Sequence, residues 1–365
     1  MQVLITGADG FIGQNLQLFL KELPDITIDK YTLDNSPSEL EDKLKSADYI
    51  VHLAGINRPQ TPEEFFSGNT DLTKTIVDLL NKNHLHIPLI FSSSIQAELD
   101  NDYGRSKRLA EDYILDKYKE GIIFRLHNVF GKGCRPNYNS VVATFCDHIA
   151  KNEPITIDNP DKVLELIYID DICKTFISII SGKQRPSRPY NYISPIYKIT
   201  LKKLADTLYQ FKSDLASIII PKTGDDFTKK LFSTYISYNT LDQLNFTPHS
   251  NTDDRGSFTE LIHTADSGQI SFSTSKPGIT RGNHYHHTKI EKFIVLSGSA
   301  TIKMRKIGEN KIHTFTTSGT HPTIITIPVG YTHNITNTGT EDMVLLIWCN
   351  ELFDKNNPDT FYEEV

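Results

Sequence analysis

The chain has 365 residues and a formal net charge of -7, with 38% hydrophobic and 23% charged residues. That length exceeds one comfortable core and fits two domains of a globular protein. The acidic balance argues against a general nucleic-acid binder, which carries a basic patch.

Gln2–Thr6 (QVLIT) is a short apolar run of the kind buried in a parallel sheet, and Met1 enters it with no signal region ahead. It feeds into Gly7-x-x-Gly10-x-x-Gly13, after which Ile12, Leu16, Phe19 and Leu23 recur at helical spacing. Strand, glycine turn and helix in that order form a dinucleotide site. The glycines admit a pyrophosphate, and the helix start, with Phe11 and Ile12, offers N–H groups to its charge. Around 27–34 the sequence TIDKYTLD offers Asp29, Lys30 and Asp34 but no arginine, so the choice between NADPH and NADH stays open there.

Ala47–Gly55 reads as a buried strand whose last residues, Leu53, Ala54 and Gly55, are small enough at the end to pass under an adenine ring. Thr70–Leu80 carries a helical pattern, and Pro88–Ser94 is the next strand, delivering Ser94 at its carboxyl edge, where ligands of open α/β sheets sit. Tyr103-x-x-x-Lys107 follows, and a four-residue step places both side chains on one helix face. A tyrosine phenol titrates near about 10, so the Lys107 cation is expected to make Tyr103 a usable proton donor to a carbonyl receiving hydride. Ser94, with Ser93 as the alternative, is placed to hydrogen-bond the same oxygen. A helical pattern over 106–118 and the strand Gly121–Arg125 complete a doubly wound alternation.

Beyond it come Leu126–Gly131 (LHNVFG) and Gly131–Ala150, where Lys132 and Arg135 suit a diphosphate. Val142, Phe145 and Ile149 form a helical core stripe, with Cys146 and His148 structural beside it. Together the glycine turn, HLAG, Ser94, Tyr103-x-x-x-Lys107, RLHNVFG and Tyr168-Ile169-Asp170-Asp171 resemble the extended short-chain dehydrogenases that act on nucleotide sugars. The resemblance spans about 1–245. It implies a Rossmann-type fold, a catalytic Ser94, Tyr103 and Lys107, and a substrate contact from Asn128.

A turn-rich seam at 245–254 leads to short β runs punctuated by Gly and Pro, an all-β sandwich or barrel pattern over 246–365. Within it, His284-x-His286 at strand spacing points two imidazoles to one side, and Glu291 and the distant His333 can close the set. Three imidazoles and a carboxylate suit Zn or another divalent metal. His287 points the other way. Gly278-x5-His284-x-His286-x4-Glu291-x6-Gly298 and Pro328-x-Gly330-x-x-His333-x3-Asn337 resemble the cupin family, which implies a cupin barrel or jelly roll. Asp254–Glu260 (DRGSFTE) is similar to its sugar-nucleotide 3,5-epimerase branch, whose members usually lack a metal.

The two patterns in one chain resemble bacterial capsular-polysaccharide enzymes that fuse a reductase to a metal cupin. That resemblance implies C3 epimerisation of a UDP-2-acetamido-2,6-dideoxy-4-hexulose and then NADPH-dependent C4 reduction, toward UDP-N-acetyl-L-fucosamine. It favours NADPH and zinc and implies a homodimer. Four dispersed cysteines without a Cys-x-x-Cys pair suit reduced thiols in the cytoplasm. No apolar run approaches the roughly 20 residues of a membrane span.

Overall fold

The computed structural model describes residues 1–365 and divides them into two compact units. The first comprises Met1–Tyr209 and Asp226–Asn239; the second comprises Gln210–Asp225 and Thr240–Val365.

In the first unit, β1 (Gln2–Thr6), β2 (Thr27–Tyr31), β3 (Tyr49–His52), β4 (Leu89–Ser94), β5 (Gly121–Leu126) and the short strand Tyr190–Asn191 make one parallel sheet. Its order is β2-β1-β3-β4-β5 and then Tyr190–Asn191. The order reverses between β1 and β3, and a crevice opens at the carboxyl ends of strands on either side of such a reversal. The strands are apolar because both faces are covered. Leu4, Ile50, Leu89, Phe91 and Ile123 pack with Leu40, Ile76, Val77, Leu80 and Ile114 from the helices in one fully buried cluster.

The helix predicted over 70–80 is longer and changes pitch: a π-helical turn over Phe66–Asp71 runs into a helix over Leu72–Lys82. The helix carrying the Tyr-x-x-x-Lys pair begins at Asp102, ahead of the predicted start, because the Asn101 side chain caps it by accepting from the Gly104 N–H (2.8 Å). Val142, Phe145 and Ile149 form the buried stripe of helix Val141–Ala150, as their spacing predicts.

The second unit is β-rich. One sheet holds Ile219–Ile220, Gly256–Thr264, Gly268–Ser275, Met343–Cys349, Glu291–Ser297 and Ile325–Ile327 in that order, with Ser250–Asp253 beside Gly256–Thr264. The other holds Ile312–Ser318, Ser299–Lys306, Tyr331–Asn337, Thr280–Tyr285 and Phe361–Tyr362. Phe293, Val295, Ile302, Ile327, Ile335, Met343 and Leu345 from both sheets share one core.

The single seam expected after Asn245 is corrected in two ways. The final crossing falls after Asn239, and 210–225 belongs to the second unit. The reason is strand pairing: Ile219 and Ile220 run parallel to His263 and Thr264, and the His263 N–H donates to the Ile218 carbonyl at 2.8 Å. No helix in the chain is long and apolar enough to cross a membrane.

Candidate functional sites

The glycine turn after β1 lies against the end of β3. Gly7 has φ +67°, and a Cβ there would meet Ala54 N at 2.6 Å and Ala54 Cα at 2.7 Å. A Cβ on Gly13 would meet Gly7 O at 2.5 Å. Leu53 and Ala54 are fixed by Thr6, whose carbonyl accepts from Leu53 N (3.1 Å) and whose hydroxyl accepts from Ala54 N (3.3 Å). Gly10 begins the helix Phe11–Lys21 with no side-chain cap, so the N–H groups of its first turn, Phe11 and Ile12 among them, meet none of this chain's own side chains. These residues fit a dinucleotide pyrophosphate. Gly7→Ala is expected to raise the Kd for NADPH about tenfold or more, equivalent to about 1.4 kcal/mol, and to lower Tm, because the new methyl must both adopt a left-handed φ and displace backbone. Fluorescence titration and a thermal melt check both.

At the carboxyl end of β4 the two serines part company. Ser93 is buried and its hydroxyl donates to Glu111 at 2.5 Å, so it is taken up by the scaffold. Ser94 is half-buried and hydrogen-bonded to Tyr103. Glu111 itself is fully buried and pairs with Arg125 of β5 (Nη2–Oε2 2.6 Å). Breaking such a pair costs about 3–5 kcal/mol, which makes it the anchor of the helix that presents Tyr103 and Lys107.

Lys107 is 4% exposed; its ammonium donates to the Ser92 carbonyl (3.0 Å) and lies 5.1 Å from the centre of the Phe91 ring. Burial lowers its pKa to about 8, with Glu111 pulling the other way. The expectation that Lys107 depresses the Tyr103 phenol is not met. Burial raises Tyr103, the Ser94 hydrogen bond lowers it in part, and Lys107 is turned to the Ser92 carbonyl instead. Lys107 is a cation below its pKa, so the reduction step is expected to weaken as pH rises through about 8. A pH profile of kcat/KM for NADPH oxidation reads this, and a profile flat to about 10, the ordinary lysine value, would contradict it.

Sequence reasoning missed Asn69. It is fully buried on the π-helical turn, its amide oxygen accepts from Ile56 N (3.0 Å), and its amide nitrogen donates to Ile56 O (2.9 Å) and Ser106 Oγ (3.0 Å). It clamps the loop after Gly55 to the helix that carries Tyr103 and Lys107. No sequence pattern marks it, because π-helical turns have no distinct periodicity, although they recur at functional sites.

On the proposed sugar side, Asn128 is exposed at the head of the strand Asn128–Phe130. Arg135 is exposed and lies 5.5 Å from the Tyr138 ring centre, a ring that Arg58 approaches at 5.9 Å. Lys132 does not fit a diphosphate role: its ammonium pairs with Asp170 at 2.6 Å and lies over Phe19 of the first helix. The thirty-eight-residue separation of Lys132 and Asp170 hid that partner from local reading.

In the second unit His284, His286, Glu291 and His333 converge, with one ligand atom from each lying within 4.8 Å of the others. One sheet supplies His284 and His333, which face each other across adjacent strands, and the other supplies Glu291. Glu291 Oε2 is 3.0 Å from His333 Nε2 and 3.4 Å from His286 Nε2. All three atoms are buried, and none has a well-directed hydrogen bond. Buried polar atoms are normally satisfied, so orphans aimed at one point fit a divalent cation. Burial would raise Glu291, but His286 and His333 outweigh it and hold the carboxylate well below its usual range. Burial, then His333, lowers His284 to about 4. The cluster thus offers three imidazoles and one carboxylate, donors that bind a metal in their deprotonated forms. His287 packs edge-to-face with Phe361 and Tyr285, outside the group. Gly330, at φ +72°, donates its N–H to the His286 carbonyl (2.9 Å), which explains the Pro-x-Gly turn.

Parallel sheet, glycine turn and the Ser94–Tyr103–Lys107 edge together define a nucleotide-binding oxidoreductase-type unit, and the chain belongs to the NAD dependent epimerase/dehydratase family, whose pattern matches residues 3–192. Residues 251–361 match the polysaccharide biosynthesis C-terminal domain. The chain is 45% identical to the UDP-2-acetamido-2,6-beta-L-arabino-hexul-4-ose reductase of Pseudomonas aeruginosa, over 99% of this chain and 98% of that one. It is similar to the crystal structure of the capsular polysaccharide assembling protein CapF from Staphylococcus aureus, with a TM-score of 0.92, 44% identity and full coverage of both chains. CapF bound to the inhibitor 3-isopropenyl-tropolone gives a TM-score of 0.88 at 40% identity, again with full coverage of both chains.

Proposed function

We propose that this chain is a bifunctional nucleotide-sugar enzyme of capsule-precursor synthesis. The second unit, of cupin type, inverts C3 of a UDP-2-acetamido-2,6-dideoxy-4-hexulose. The first then reduces C4 with NADPH, giving the UDP-2-acetamido-2,6-dideoxy-L-talose. The observation that carries this reading is the presence, in one polypeptide, of a serine–tyrosine pair beside a buried lysine and of four converging metal-type donors, three of them orphaned. Similarity over full length to a UDP-hexulose reductase and to CapF supports the substrate class.

In the first unit a bound nicotinamide supplies hydride to the carbonyl carbon. Ser94 hydrogen-bonds the carbonyl oxygen and Tyr103 gives it a proton, while the charged Lys107, held by the Ser92 carbonyl, supplies positive charge at the same strand edge. Asn128 contacts the sugar and Arg135 the diphosphate. Asp29, the nearest carboxylate on β2, pairs with Lys43 at 2.7 Å, which leaves it poorly placed for a ribose hydroxyl and supports NADPH over NADH.

In the second unit His284, His286, Glu291 and His333 hold a divalent cation, zinc by preference. Such an ion stabilises the negative charge that develops on a carbonyl oxygen when the neighbouring carbon loses its proton. The C4 ketone acidifies the C3 proton and survives its inversion, so the same carbonyl remains for reduction. The protein works as a cytoplasmic homodimer, a state that light scattering of the purified chain tests.

The printed name of the Pseudomonas aeruginosa relative mentions a reductase alone. That favours a second reading, in which only C4 reduction occurs and the second unit is a metal-stabilised binding or dimerisation module. Incubating the 4-keto sugar in D2O without NADPH separates the two. Deuterium entering C3 is expected; no exchange with hydride transfer intact would leave the reductase alone.

A further inference from the structure

The segment 358–363 runs alongside the metal-type cluster, pairing its backbone with the strand of His284 and meeting His286 through Asp359. Phe361 and Tyr362 pair antiparallel with Tyr285 and His284, and Glu363 N–H donates to the Asn283 carbonyl at 3.0 Å. Lys289 adds a tie by donating its ammonium to the Pro358 carbonyl (2.8 Å). Asp359 makes the rest. Its carbonyl lies 2.5 Å from His286 Nδ1. Its carboxylate accepts from the N–H groups of His287 (3.0 Å), Thr288 (2.9 Å) and Lys289 (2.9 Å), and from the Thr288 hydroxyl (3.1 Å).

Each bond has a consequence for the cluster. A carbonyl only accepts, so His286 Nδ1 must carry a proton, and in the neutral ring the lone pair is then on Nε2, which faces Glu291. The turn 287–289 joins His286 to the strand that begins at Glu291, and one carboxylate holds three successive N–H groups of it. Asp359 does this at φ +41°, a left-handed conformation that L-residues rarely adopt and that persists where surrounding bonds over-determine it. Nothing in a merely terminal tie requires both the carbonyl and the carboxylate of one residue to face the same ligand-bearing turn.

We propose that Asp359 is the positioning residue of the metal centre, its carbonyl fixing the His286 tautomer and its carboxylate fixing the turn that sets the His286–Glu291 spacing. This rests on the metal reading of the cluster. Partners of this kind around ligating histidines alter metal affinity by roughly 10–100-fold.

The test uses the full-length protein, stripped of metal and titrated with Zn2+ against a chromophoric chelator, as wild type and as Asp359→Ala. The absorption spectrum of the Co2+ form and the Tm gained on adding Zn2+ are read alongside. The expected result is a Kd for Zn2+ raised about tenfold or more in Asp359→Ala, a changed Co2+ spectrum and a smaller Tm gain. Equal affinity, an unchanged Co2+ spectrum and a Tm lowered equally with and without Zn2+ would make Asp359 a structural tie only and overturn the proposal. Should Asp359→Ala not fold, Asp359→Asn carries the same test, since it keeps the volume but sets an amide NH2 against the turn's N–H groups. A wild type that binds no Zn2+ would instead sink the metal reading, and this inference with it.

Discussion

Tyr103→Phe is expected to reduce NADPH oxidation by about a thousandfold, within the range for losing a general acid, while deuterium exchange at C3 continues at the wild-type rate. The phenol hydroxyl is the side-chain proton donor hydrogen-bonded to Ser94 at this edge, and the variant keeps the ring that packs near Phe65 at 5.7 Å. The folding cost is small, about 1 kcal/mol for one lost hydrogen bond, and the glycine turn after the first strand is untouched. The loss should therefore fall on kcat, with the Kd for NADPH unchanged. A variant that lost hydride transfer and C3 exchange together would contradict two separate centres.

Glu291→Ala is the complementary case. Glu291 is the only carboxylate in the cluster and the only ligand contributed by its sheet. Removing it leaves three imidazoles, one protein ligand fewer and no anion to offset the charge of a divalent ion, so the ion is held less tightly. C3 exchange is expected to fall by at least about 100-fold, the scale of a lost ligand or of a disrupted metal surround, while NADPH binding in the first unit stays at the wild-type level. Chelator treatment of the wild type should reproduce the defect, and the divalent ion that restores exchange identifies the working metal. Undiminished exchange in metal-free protein would place the chemistry on side chains alone.

Much of this was legible because its signals are local. The strand predicted over 2–6 is observed at Gln2–Thr6, and that over 88–94 at Leu89–Ser94. The glycine turn is readable since a φ of +67° against Ala54 admits no other residue, and His284-x-His286 is readable from strand period alone. What was not legible depends on distant pairing. Ile219–Ile220 has two residues and no periodicity, so only its partners His263 and Thr264 reveal that 210–225 belongs to the second unit. Lys132 looked free until the fold brought Asp170 to it. Ser93 and Ser94 differ only in what faces them, Glu111 for one and Tyr103 for the other. Asp359 lies in a tail without any pattern of its own, and its contacts are made across more than seventy residues.

The most direct measurement is the isotopic make-up of the product formed in D2O from the UDP-linked 4-keto sugar and NADPH. NMR should find deuterium at C3, taken from solvent, and protium at C4, delivered by the nicotinamide. Reduced sugar with its original protium still at C3, or no reduced sugar at all, would refute sequential proton and hydride chemistry on one substrate.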